Sequence, residues 1–128
     1  MAVPHAQPGE IVTVRPLGAG IAQAKTTTLI KTKKLEVMRL VLPRGKHLPR
    51  HEAPAEVTIQ CLEGRIRMDL DGRVVELSAG DLLYLNEHAP HDVQALEDST
   101  VLATLRLPHE HPIAWPSVLA EELNELSL

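Results

Sequence analysis

The chain has 128 residues, 44% of them hydrophobic, and a formal net charge of −4 with histidine neutral, so it is sized for one domain with a buried core. With no Phe, one Tyr (Tyr84) and one Trp (Trp115), it lacks the aromatic platform on which bases stack. Its acidic balance supplies no basic field for nucleic acid or an anionic membrane.

The chain begins MAVPHAQPGE, without the cationic start and apolar run of a signal peptide. No stretch is apolar for long enough to span a bilayer. The lone Cys61 rules out an internal disulfide and, with the missing signal peptide, leads to the expectation of a reducing cytoplasm. Ten Pro punctuate the chain, as short strands joined by tight loops require. Pro4, Pro8 and Gly9 break any regular element in the first ten residues. A weak strand is expected at Ile11–Arg15, and Pro16–Ala24 reads as no definite element. Residues 1–25 are thus read as an arm, loosely ordered or pairing with a partner subunit.

From Thr26 the pattern is strand after strand. Thr26–Thr32 is rich in β-branched residues, and Leu35–Leu42 is apolar on both parities. Val57–Leu62 alternates, and so does Arg65–Leu70, with Ile66, Met68 and Leu70 on one face. Asp71-Gly72 between two alternating segments predicts a two-residue hairpin of type I′. Arg73–Leu77, Asp81–Leu85, His91–Ala95 and Thr100–Leu107 complete the series. No helical pattern separates these segments, which excludes a parallel α/β sheet and favours an antiparallel sandwich or barrel over 26–108. Residues 109–128 read as a connector and an amphipathic helix, Ser117–Leu126, with Val118, Leu119, Leu123 and Leu126 on one side.

Residues 45–95 resemble the cupin family. The family's first motif, G-x5-H-x-H-x3,4-E-x6-G, reads here Gly45-KHLPR-His51-Glu52-Ala53-PAE-Val57-TIQCLE-Gly64, with the same spacing. Its second, G-x5-P-x-G-x2-H-x3-N, reads here Gly80-DLLYL-Asn86-Glu87-His88-AP-His91-DVQ-Ala95, with the same spacing. The resemblance implies an antiparallel double-stranded β-helix, or jelly-roll barrel, and a metal held by three His and one Glu. Carried over by position, His51 and His91 remain, while Ala53 and Val57 stand in the other two places.

Among the seven His, the rest are weighed against that frame. His47, four residues before His51, shares its parity on a regular strand and is a candidate third ligand. Glu56 precedes the ligand position by one residue, so it points outward unless a bulge re-aims it. Glu87 and His88 occupy the turn before His91 and read as a solvated turn. His109 and His111 in PHEHP read as a surface connector. Tyr84 is a candidate ligand contact, against a plain core or interface position. Cys61 has inward parity and reads as an inert buried thiol.

The sequence therefore leads to a small barrel binding a small organic ligand in its cavity, oriented by His51 and His91, with Tyr84 nearby. The alternative is a metal-dependent enzyme of dioxygenase or isomerase type, using Fe, Mn, Ni or Zn on His51, His91 and either His47 or Glu56. A second alternative is a structural or interaction barrel. A homodimer is expected from the doubly apolar Leu35–Leu42 and from the resemblance.

Overall fold

The computed structural model describes residues 5–107. They form nine strands: β1 (Thr27–Lys31), β2 (Leu35–Leu42), β3 (His47–His51), β4 (Glu56–Glu63), β5 (Arg65–Leu70), β6 (Arg73–Ser78), β7 (Leu82–Leu85), β8 (His91–Ala95) and β9 (Ser99–Arg106). They build two antiparallel sheets, one of five strands in the order β1-β2-β9-β4-β7 and one of four in the order β3-β8-β5-β6. This is the all-β jelly-roll expected. No helix among the described residues is long and apolar enough to cross a membrane.

The alternation read from the sequence is the burial pattern of the strands. Val57, Ile59 and Cys61 on β4 face inward with Ile66 and Met68 on β5, and the intervening residues face out. Met38, Leu42, Cys61, Ile66, Met68 and Leu105 are fully buried between the sheets. Each such aliphatic side chain contributes about 1.5–3 kcal/mol on leaving water.

Four expectations are corrected. Ile11–Arg15 forms no strand, and Ile11 is 95% exposed. Pro16–Ala24 contains a short 3-10 helix, Gly18–Gln23, seated by the buried Ile21. Its start is tied down by Glu63, whose carboxylate accepts from the Leu17 and Gly18 amides at 2.6 and 2.9 Å. The Asp71-Gly72 turn does join β5 to β6 with Leu70 opposite Arg73, but only Gly72 (φ 87°) is left-handed, so it is not type I′. The fourth is β3, a strand that Pro49 hides from a propensity reading. The helix expected at Ser117–Leu126 lies outside the described residues.

Gly64 is the glycine the fold cannot replace. Its φ is 83°, and a Cβ there would meet Asp98 O and Ser99 Oγ at 2.3 Å. That close approach lets Ser99 accept from the Arg65 amide and seals the end of the barrel opposite the histidines.

Candidate functional site

His51 and His91 are brought to one place by strand register. β3 ends at His51 and β8 begins at His91, and the two residues pair directly. Their ring centroids are 4.3 Å apart with the planes inclined by 61°, an edge-to-face contact. His91 is buried and His51 is half-buried.

Both rings are fixed in the same way. His51 Nδ1 lies 2.9 Å from Pro49 O, and His91 Nδ1 lies 2.9 Å from Ala89 O. A carbonyl can only accept, so each Nδ1 carries its proton and donates. In the neutral imidazoles the lone pair is therefore on Nε2 in both, the arrangement that a hydrogen-bonded Nδ1 sets in functional histidines. Apolar residues complete this end of the barrel. Leu70 pairs with His91 on the four-stranded sheet, and Leu85, Val57 and Leu105 run in register across the five-stranded one.

The other candidates are not brought here. β3 carries one extra residue between Leu48 and His51 relative to β8. Pro49, with no N–H to give to the ladder, sits in that bulge. The bulge reverses parity, so His47 faces outward, 52% exposed, with Nε2 3.2 Å from Asp92. Glu56 also faces outward. It accepts from the Tyr84 hydroxyl at 2.8 Å and from Arg106 at 3.1 Å, which hold its carboxyl below the usual range. Tyr84 opposes Thr58 on the outer face of the five-stranded sheet and is 58% exposed. Its phenol is pushed up, first by the bond to Glu56 and then by partial desolvation. His88 lies in the turn, with Nδ1 3.2 Å from Glu52. Burial raises the Cys61 thiol, with the charge of Asp81 adding to it. His109 and His111 lie outside the described residues.

Sequence reasoning missed Glu36. It shares the parity of Met38, Leu40 and Leu42, and it is 3% exposed. It pairs with Leu105, so it stands in the row Glu36, Leu105, Val57, Leu85, at the same end as the histidines. Its parity was the available signal. A carboxylate in register with three core positions of one strand is seldom placed there without a partner.

Residues 38–105 match the Cupin domain family, more than half of the chain. The protein belongs to the cupin family. No curated protein is significantly similar in sequence. Among solved structures, it is similar to an RmlC-like cupin from Shewanella frigidimarina (20% identity, TM-score 0.64, covering 84% of this chain and 95% of that one). It is also similar to KdgF from Halomonas sp. (24%, TM-score 0.61, covering 63% and 77%). The DMSP lyase DddQ from Ruegeria pomeroyi is a third (22%, TM-score 0.61, covering 67% and 48%). At these identities the likeness concerns the fold alone.

The cupin family implies a metal held by three His and one Glu, and the residues of this cupin do not fit it. Ala53 and Val57, both buried at the ligand positions, have no donor atom. Glu56 and His47 face away. Among the described residues, no group of three or more His, Cys, Asp and Glu is placed to hold a metal ion. Two imidazoles are fewer protein ligands than functional sites supply.

Proposed function

We propose that this cupin binds a small organic molecule at the His51–His91 end of its barrel, with the two imidazoles orienting the ligand's polar group. The observation that carries the reading is the shared Nδ1 lock, which gives two adjacent rings the same tautomer at the edge of an apolar surface. A few convergent polar groups in apolar surroundings are what a small-molecule site requires. The reading assigns no bond-making step.

A panel of short aliphatic molecules with different polar ends tests it. A binder should raise Tm, since a ligand taken only by the folded state stabilises it. It should also move the imidazole resonances of His51 and His91, and His51→Leu should remove both effects. If no member of the panel moves either ring, the reading is wrong.

A further inference from the structure

We propose that the outer face of the five-stranded sheet is the surface on which a second copy of this chain docks, in a two-fold dimer whose axis runs through β9. The proposal is independent of what the barrel binds.

The two sheets present unlike outer faces. On the four-stranded sheet, Arg67 stands between Glu76 and Gln94, and Asp69 between Val74 and Asp92. That is the composition of a sheet face in water. On the five-stranded sheet, the outward row Val37, Thr104, Thr58, Tyr84 carries no charge. The next row, Arg39, Leu102, Gln60, Leu82, carries one. The large apolar side chains exposed among the described residues are Ile11, Leu35, Val74, Leu82 and Tyr84, and three of these stand on this face, Leu82 with 65% exposure. A third row, Val41 and Thr100, has the same outward parity but is buried. The fold thus covers this face at one end and leaves it open at the other, and an open apolar surface marks a place where proteins meet. The character of β2, apolar on both parities, follows: Met38 and Leu40 serve the core, while Leu35 and Val37 serve the outer face.

Charge and layout identify the occupant. The whole chain carries −4, so two copies repel at long range and meet most readily where the surface is neutral. On this face Glu56 and Arg106 pair at 3.1 Å, and the charge of Arg39 acts on Glu63. Little net charge is left to draw an acidic or basic partner, or to repel the same face of a second copy. The layout also fits itself. β9 is the middle strand, with β2 and β1 on one side and β4 and β7 on the other. A two-fold axis through β9 lays β7 of each copy over β1 of the other, and β4 over β2, as an isologous contact demands. Leu82 and Tyr84 then come to Ile30, which shares the row of Val37, and Gln60 comes to Arg39, with Leu102 near the axis. Stacking two twisted sheets face to face in near alignment is an ordinary mode of sheet packing.

Sedimentation velocity of the full chain at micromolar concentrations tests this, and the mass of two chains is expected. Leu82→Asp changes a side chain that is mostly in water in the single chain, so the fold should tolerate it. It should raise the dimer Kd by roughly tenfold or more, because docking would bury a carboxylate against apolar groups. Val74→Asp, at an exposed apolar position on the other outer face, should leave the Kd unchanged. A monomer at every concentration overturns the proposal, and so does a dimer that Leu82→Asp leaves whole or that Val74→Asp breaks. Where Leu82→Asp fails to fold, the native protein decides. Its Leu82 and Leu102 methyls should become shielded from a soluble paramagnetic probe as protein concentration rises. Methyls that are shielded already in the monomer would mean that another part of the same chain lies over the face, which overturns the proposal too.

Discussion

His51 and His91 lie opposite each other on β3 and β8, and each is held by a carbonyl two residues earlier in its own chain, Pro49 O and Ala89 O. Each histidine folds its Nδ1 back onto the chain just before it, His51 onto the Pro49 bulge within β3 and His91 onto the turn that leads into β8. The expected consequence is spectroscopic. Long-range nitrogen–proton correlation on the neutral rings should report a protonated Nδ1 and an unprotonated Nε2 in both. A protonated Nε2 in either neutral ring would mean that the carbonyl at Nδ1 does not set its tautomer.

Tyr84 gives a second test, because it is the only tyrosine and its titration reports one site. Its hydroxyl donates to Glu56, and losing that proton would place two negative charges together. The phenolate absorbance should therefore rise above the ordinary tyrosine pKa in the native protein. Glu56→Gln should bring it back toward that value. The same substitution should leave ligand binding at His51 unchanged, because Glu56 is on the outer face. A loss of binding in Glu56→Gln would return it to the site.

Most of the barrel was legible because its strands alternate cleanly. Ile66 and Met68 each sit where period-two counting puts them. The histidine pair was legible only through the spacing of two distant motifs, since nothing local joins residue 51 to residue 91. His47 was misjudged because parity counting assumes an unbroken strand, and the bulge at Pro49 adds a residue that only the register with β8 reveals. Glu36 was overlooked for the opposite reason. β2 looked apolar on both faces, and its one inward acid was masked by the residues around it.

Glu63 links the barrel to the segment before β1. It accepts from the Leu17 and Gly18 amides and from the Thr100 hydroxyl at 2.8 Å. Burial pushes its carboxyl up, but these hydrogen bonds and the charge of Arg39 outweigh that, and the net direction is down. A depressed folded pKa contributes stability that is present above the unfolded pKa and lost as pH falls through the folded value. The latch should thus be intact at neutral pH and open only below the usual carboxylate range. The Leu17 and Gly18 amide shifts should titrate with a midpoint under the reference 4.5. Glu63→Gln should abolish that titration and cost about 1–2 kcal/mol, the scale of a lost charged hydrogen bond.

His88 is the one non-glycine residue with positive φ among the described residues, at 61°. It stands where the cupin motif has glycine, so the turn geometry is kept without the residue that adopts it most easily. Its amide donates to Ala53 O at 2.8 Å, which ties the turn before β8 to the loop before β4. Histidine tolerates this backbone better than most residues, and a β-branched residue does not. His88→Val should cost about 1–2 kcal/mol in chemical denaturation. His88→Gly should stay within about 0.5 kcal/mol, because relief of the left-handed backbone offsets the entropy of glycine and a weak exposed contact with Glu52. Equal effects of the two would mean that the turn does not depend on this backbone.

Ala53 and Val57 allow the missing metal chemistry to be tested by restoring it. Both are buried at the histidine end, at 2% and 5% exposure, on either side of the β4 start. If the barrel retains the family's frame and has lost only the donors, Ala53→His with Val57→Glu should create a four-ligand site with His51 and His91. A complete structural zinc site contributes on the order of 10–16 kcal/mol. Two of its four donors should therefore raise affinity for a divalent transition metal by at least about a hundredfold over the native chain. Without metal, the added polar groups should lower stability by about 1–3 kcal/mol, because burial strips them of water. Metal should then raise the Tm of the double variant well beyond any effect on the native protein, and His91→Ala should cancel the gain. Failure of the double variant to bind, while still folded, would mean that the frame itself has moved and that the lost donors are not the whole difference.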